Sequence, residues 1–532
     1  MWLPRALPTG VLMETCAPYD KLGIRPAEHT LEADPHPLAQ SLALFEHLDA
    51  AGVPYCHFKS NEHLLEGLAG LTDLDLLVGR REARVAQAAL ERAGFKRFPS
   101  RFASAYPSVE DYLGFDAETG RLVHAHVHYA LVAGEKHLKS YQLGFAGDLL
   151  ATRVADPATG VYTSDSSYEM LLLLLRYSLK ARLRDALAEP LGRPCFGQDA
   201  RREHAWLRQR LRPGILHQIT EQQLGKAAGE VVESLAERPP SVWKLFAFRR
   251  RAARALARHR SYGFLERHGL RGLRELTASL GALNRRLLGL PIPLRRTLPA
   301  GGLIVAFLGP DGSGKSTLVA DVRRWAGWKL DVYAVYFGSG DGPASLLRWP
   351  LVLAIRLLRG VRGTRRGPGA GSAPGEAAKR RGRISPVRAL WALVLAQEKR
   401  SKMRSAVRAR NRGMVVICDR YPQAQIMGFN DGPLLSAWME SGSRLKRRLA
   451  RWEFETYREL ARTAPDLVVK MDVPPEVAVR RKPDMRPDEV ERRRAAVRQI
   501  DYGPASETLS VDGTRPLAEV QLRVRRALWE LL

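Results

Sequence analysis

One stretch constrains the fold more than any other. Leu303–Leu308 is a short, uninterrupted apolar run that leads directly into Gly309-Pro310-Asp311-Gly312-Ser313-Gly314-Lys315-Ser316-Thr317. A helical pattern over 317–326 follows. Strand, glycine turn and helix in immediate succession fit G-x-x-x-x-G-K-[ST]. The glycines let backbone N–H groups close around phosphates, and the helix N-terminus adds positive potential. In that layout Lys315 neutralises the outer phosphates and Ser316 can ligate Mg²⁺. Further apolar runs at 332–337, 414–418, 466–471 and 508–511 alternate with helical segments. They predict a doubly wound α/β domain with a parallel sheet buried on both faces.

Three more elements sit at the ends of these runs. The strand at 414–418 ends in Asp419-Arg420-Tyr421. An acid at the carboxyl end of a buried parallel strand faces the ligand crevice. Asp419 can hold Mg²⁺ directly or through water, or act as a base, and Arg420 can hold an acceptor phosphate. The segment 480–486, with Arg481 and Arg486, follows the strand at 466–471. An arginine-bearing lid there can close over a transferring phosphoryl group. The alternative is a solvated face, the usual fate of interleaved Arg and Glu such as 489–498. Finally, the strand at 508–511 runs into Asp512-Gly513-Thr514 and a last helix, 517–532.

Together "GPDGSGKST", "VVICDRY", "PDLVVKMDVPPEVAVRRK" and "VDGTRPLAEV" resemble the thymidylate kinase family of P-loop kinases, in the family's order, over about 300–532. The resemblance implies ATP and Mg²⁺ binding and phosphoryl transfer to a small acceptor. Lys315, Ser316, Asp419 and Arg420 fall on the family's positions, and Arg481 and Arg486 match its lid loosely. Gly309, Asp311, Gly312, Ser313, Gly314, Thr317 and Asp512 are the implied nucleotide contacts, with Ser316 and Asp419 on the metal. The acceptor side differs. "YFGSGDGP" stands where that family carries Arg-Glu-Pro, "PQAQIMGFNDGP" replaces its Ser and Ala-Tyr-Gln run, and 343–388 is an insertion. The chain more closely resembles kinase-like proteins of bacterial surface-polysaccharide gene clusters. The expected acceptor is a small anion, phosphorylated or sugar-like, rather than thymidine monophosphate.

Charge narrows the partners. The 84 Lys and Arg exceed the 56 Asp and Glu by 28. Residues 247–298 hold 13 Arg against Glu266 and Glu275, and residues 346–412 hold 18 Lys and Arg against Glu376 and Glu398. Nearly all the excess lies in these two stretches, which carry few aromatics, so nucleic acid is disfavoured. Ala344–Val361 reads as a cationic amphipathic helix. It suits either peripheral membrane contact through 344–366 or packing on its own domain with the arginines solvated. Alternatively, arginines of the insertion or of a helix over 386–410 line an acceptor pocket.

A second constellation lies upstream. Phe58-Lys59-Ser60-Asn61 precedes a helix-like stretch and then "GLTDLDLLV", with Asp73 and Asp75 at i and i+2 on one strand face. Such a pair can share a divalent cation. The strand 122–128 then sets His124, His126 and His128 on one face. The pattern over about 40–150 resembles the nucleotidyltransferase superfamily of DNA polymerase beta, with Lys59 in place of its first glycine and no third acid on 122–128. Three readings stay open. His126 completes a metal site with Asp73 and Asp75, suited to zinc, manganese or iron; or the site is an inactive relic; or the fold is unrelated and the histidines are half-exposed on a strand edge. His57, His63 and His137 read as surface or capping residues.

The four cysteines, Cys16, Cys56, Cys195 and Cys418, are scattered, which excludes a disulfide framework or zinc ribbon and suits a reducing cytoplasm. The N-terminus lacks a signal-peptide pattern, and no apolar run is long enough to cross a membrane. The expected organisation is α/β: a tail over 1–37, a nucleotidyltransferase-like α/β domain over 38–150, a helical region with a basic linker over 151–299, and a P-loop kinase domain over 300–532. The expected function is ATP- and Mg²⁺-dependent phosphotransfer, in a cytoplasmic protein either free or in peripheral contact with a membrane. The alternatives are an ATP-binding regulator at the membrane face of a polysaccharide assembly system, or an active N-terminal nucleotidyltransferase.

Overall fold

A computed structural model describes residues 35–192, 195–338, 384–427 and 432–532. Most of the expected tail, and the insertion up to 383 with its whole 344–366 amphipathic segment, lie outside the described residues. The chain divides into two compact α/β units. The N-terminal unit runs to Asn284 and includes Leu294–Arg296, so part of the expected basic linker belongs to it; the C-terminal unit is built from Arg285–Pro293 and Thr297–Leu532.

The N-terminal unit carries β1 (Tyr55–His57), β2 (Asp73–Val78), β3 (Lys96–Arg97), β4 (Val109–Phe115), β5 (Leu122–His128), β6 (Leu131–Ala133), β7 (Tyr141–Leu143), β8 (Val154–Ala155) and β9 (Tyr162–Thr163). Seven of them form one sheet in the order β3-β4-β5-β2-β1-β9-β8. At its centre β2 and β5 run parallel, with Asp73 opposite His124, Asp75 opposite His126 and Leu77 opposite His128. Strand alternation then sorts the side chains. Leu74, Leu76, Val123, Ala125 and Val127 pack with Leu44, Phe45 and Leu48 of helix Ala39–Ala50 and with Ala86 and Leu90 of helix Ala83–Arg92. The acids and histidines are thereby set on the other face. Because β5 is central, its histidines are not on a sheet edge as one reading expected; His124 and His128 are buried.

The helical region is not a separate body. Helix Ser166–Lys180 buries Leu171, Leu172, Leu173, Leu174 and Leu175 on every side, as an all-round apolar run requires. Its leucines share one core with Cys56, Phe58 and Leu77 of the sheet and with helices Gln198–Arg208, Ile215–Leu224, Lys226–Glu237 and Val242–Arg251.

In the C-terminal unit, β10 (Leu303–Leu308), β11 (Val332–Tyr336), β12 (Val415–Asp419), β13 (Leu467–Asp472) and β14 (Glu507–Asp512) form an all-parallel sheet in the order β11-β12-β10-β13-β14. The chain winds from β10 to one side and then crosses back to β13 on the other, so the loop after β10 emerges where the winding reverses. Ligands of open α/β sheets bind at that position. The loop's helix, Lys315–Gly327, is tied to the final helix, Leu517–Leu531, by two hydrogen bonds that Arg525 donates to Asp321, at 2.6 and 3.0 Å. Among the described residues, no helix is long and apolar enough to cross a membrane.

Leu173 is fully buried in the shared N-terminal core. Leu173→Ala should therefore destabilise that unit by about 3 kcal/mol, read as a shift of its transition in urea denaturation.

Candidate functional site

The turn between β10 and its helix depends on glycine at defined points. Gly312 has φ +79° and Gly314 φ +91°, the left-handed region that side chains disfavour. A Cβ on Gly312 would also lie 2.6 Å from the backbone oxygen of Ala478. Ser313 Oγ is buried with no hydrogen-bond partner among the described residues. Lys315 opens the helix, is largely buried, and donates from Nζ to the Pro310 carbonyl at 2.7 Å across the loop. Ser316 and Thr317 are exposed in the helix's first turn. The N–H groups of that first turn have no acceptor within a helix.

Charged side chains converge on Asp311 in this loop. Arg420 donates to Asp311 Oδ1 at 2.7 Å, and Arg493 donates to Asp311 Oδ2 at 2.7 Å. Burial opposes the charge on Asp311, but the cations of Arg420, Lys315 and Arg493 outweigh it and hold the carboxyl below its usual range. Arg420 adopts φ +67°, rare for a residue with a side chain and costing about 1–3 kcal/mol. That turn out of β12 lets its N–H bond Phe307 on β10 while its guanidinium reaches the loop. Asp419 is buried at the end of β12, in register with Phe307 and Tyr336.

The expected lid divides. Arg481 donates to the Gly513 carbonyl at 2.9 Å. Gly513 packs against the phosphate loop, since a Cβ there would lie 3.1 Å from the Ser313 carbonyl. Arg486 is exposed and pairs with Asp488 two residues on, so it is not brought to the loop. Arg493, seven residues later on helix Pro487–Gln499, reaches Asp311 instead. It lies in the stretch that reads as a solvated face. Asp512 is exposed, and its Oδ1 accepts from the Thr514 N–H at 2.9 Å and hydroxyl at 2.6 Å, which closes its own turn and lowers its pKa.

In the N-terminal unit the expected Asp73–Asp75 pair separates. Asp73 lies 2.9 Å from His124 Nδ1, and His124 Nε2 lies 2.9 Å from Asp111 of β4. Asp75, His126 and His128 form a second group, with candidate ligand atoms all within 4.8 Å of one another. Asp111 of β4 is a further acid beside these histidines. It sits opposite His126 across the β4–β5 pairing and is bonded by Arg296 at 2.8 Å. Burial opposes its charge, but His124 and Arg296 hold it well below the usual carboxylate range. The Lys59 ammonium sits 2.8 Å from Asp75 Oδ1.

His57 is buried, not at the surface, with Nδ1 2.5 Å from Asn61 Oδ1. Asn61 in turn donates from its backbone N–H and its side-chain amide to the two oxygens of Glu169, at 2.9 and 2.6 Å. Burial, reinforced by nearby Glu203, pushes Glu169 up to about 8. Folded protein therefore keeps this proton to about pH 8, whereas an unfolded chain releases it near the ordinary glutamate pKa of 4.5. The folded state binds more protons between those values, so this group's contribution to stability falls as pH rises through that window. Glu169→Gln cannot ionise. Its Tm should fall less than that of the unsubstituted protein between pH 5 and pH 8; equal slopes would contradict the assignment.

No protein-family model matches the chain. It is 30% identical over 232 residues to Escherichia coli "Uncharacterized ATP-binding protein YghR", a match covering 42% of this chain and 86% of that protein. It is 27% identical over 230 residues to Escherichia coli "Uncharacterized ATP-binding protein YghS", covering 42% of this chain and 92% of that one. By that similarity the chain belongs to the family of YghR.

Proposed function

We propose that the C-terminal unit binds ATP at the 309–317 loop and transfers its γ-phosphoryl group to a small anionic acceptor. The observation that carries this reading is the loop itself. It leaves the end of β10 where the sheet's winding reverses, with Lys315 at its helix N-terminus and Arg420 and Arg493 converging on it. The names of YghR and YghS as ATP-binding proteins support the nucleotide. Ser316, exposed in the first helical turn, and Asp419, at the end of β12, offer the hard oxygen donors that Mg²⁺ prefers. When bound, Mg²⁺ offsets charge on the phosphate oxygens.

On this reading the loop amides and Lys315 hold the β- and γ-phosphates. An acceptor oxygen bonds to the γ-phosphorus as the bond to the β–γ bridging oxygen breaks, and ADP leaves. Charge spreads over the equatorial oxygens of the transferring group, so fixed cations stabilise it. Arg420 and Arg493 are suited to this because both reach the loop while Asp311 holds them in place. Arg481, anchored on Gly513, stays at the loop's other flank.

Incubation with ATP and Mg²⁺ and a panel of nucleotides, sugars and sugar phosphates should yield a phosphorylated product by mass spectrometry. Lys315→Ala should abolish that product while circular dichroism and Tm stay near those of the unsubstituted protein. Gly312→Ala, forced against Ala478, should weaken ATP binding at least about tenfold, equivalent to about 1.4 kcal/mol. Full turnover by Lys315→Ala would overturn the proposal.

A further inference from the structure

Helix Phe264–Leu283 is amphipathic the wrong way round for water. Its three arginines turn inward. Arg274 is buried, donates to the carbonyls of Ala105 and His137 at 2.9 and 3.2 Å, and lies over the rings of Phe102 and Tyr106. Arg271 pairs with Glu275 at 3.4 Å, and Arg267 lies 3.6 Å from buried Glu135. The leucines turn outward: Leu265, Leu273, Leu276, Leu280 and Leu283 are between 47% and 84% exposed. They fall on an arc of about 80° and form a stripe about 27 Å long. From Gly269 to Leu283 the exposed residues are four leucines, two glycines, an alanine and Ser279. A continuous apolar face of this kind marks an interaction surface.

Unpaired cations gather at one end of the stripe. Arg249, Arg250, Arg260 and Arg267 line a cavity of about 400 Å³ with Tyr141 and Phe246. Arg267, in the second turn of the helix, joins that cavity to the leucines. Among the described residues, no carboxylate lies within ion-pair distance of Arg249, Arg250 or Arg260. Residues 247–265 carry Arg249, Arg250, Arg251, Arg254, Arg258 and Arg260 and no Asp or Glu; Glu266 follows, exposed in the first turn of the helix. Beside the cavity, Trp243 is largely exposed, with its ring edge-on to Phe246 at 5.8 Å between centres.

We propose that this face docks on an anionic lipid bilayer. Helix Phe264–Leu283 lies in the plane of the interface, its leucines enter the acyl boundary, and Arg249, Arg250 and Arg260 meet lipid phosphates. Leucines along one side, cations beside them and an exposed tryptophan are the parts of an interfacial helix. The cations decide against a second copy of this chain. Pairing two copies leaves both sets of arginines without a counter-charge, whereas an anionic leaflet supplies it. The stripe decides against an acidic protein partner. It offers Ser279 as its one exposed polar side chain from Gly269 to Leu283, where protein interfaces carry about one hydrogen bond per 100–200 Å². Every group in this site belongs to the N-terminal unit, so the inference stands apart from phosphotransfer at the 309–317 loop.

The test sediments the full-length protein, without nucleotide, with vesicles of phosphatidylcholine alone or with about 30% phosphatidylserine. The protein should bind the phosphatidylserine vesicles, and more weakly as NaCl rises from about 0.1 to about 1 M, which shortens the screening length from about 10 to about 3 Å. Arg250→Gln with Arg260→Gln should lower the partition coefficient about 25-fold, about fivefold for each charge removed. Leu276→Gln with Leu280→Gln should lower it at least about tenfold and keep or raise Tm, since both leucines are exposed. A variant without 344–366 should still bind. No binding to phosphatidylserine vesicles, equal binding to phosphatidylcholine alone, binding unaltered by either double substitution, or binding lost with 344–366 would each overturn the proposal. So would a dimer in sedimentation velocity that Leu276→Gln with Leu280→Gln dissociates, which assigns the face to a second copy.

Discussion

A helix that starts immediately after a buried strand leaves its first N–H groups without acceptors, and the C-terminal unit is organised around that fact. The chain between Leu308 and Lys315 must turn sharply at the mouth of an all-parallel sheet, which forces left-handed backbone at Gly312 and Gly314. The turn concentrates positive potential where Lys315, Arg420 and Arg493 also arrive, and three cations around a helix N-terminus would repel one another. Asp311 counters them from within the loop by accepting from both arginines. The loop thus carries its own counter-ion.

What was legible in the sequence was what chemistry ties to local spacing. Glycines at positions needing positive φ, a lysine at the start of a helix and an acid ending an apolar strand can each be read within ten residues. The parallel α/β architecture follows from the same alternation, and the observed strands match the apolar runs to within a residue or two. Arg493 was not legible. Its helix interleaves Arg and Glu as any solvated helix does, and only packing shows that one turn of it reaches Asp311. Arg486 had the better sequence claim and is consumed locally by Asp488.

The N-terminal unit shows the same limit more sharply. The Asp-x-Asp pattern correctly puts Asp73 and Asp75 on one face, but a shared face does not mean a shared partner. Cross-strand register sends Asp73 to His124 and Asp75 to His126. The acid opposite His126 on the other side, Asp111, comes from the antiparallel neighbour and carries no local spacing signal.

Net charge is therefore a poor guide to where an anion would bind. The excess of 28 lies almost entirely in two basic stretches, yet several of those arginines are spent on structure: Arg296 on Asp111, Arg274 on the carbonyls of Ala105 and His137, Arg400 on Glu459. Lys139 and Lys180, half-buried in the N-terminal unit with aromatic rings rather than carboxylates beside them, come from near-neutral parts of the chain. An exposed arginine is solvated and screened, so its field fades within about 10 Å at ordinary ionic strength. A half-buried lysine with no carboxylate at ion-pair distance has neither relief. Its need for an anion is set by its surroundings, and a count of basic residues along the chain does not reveal it.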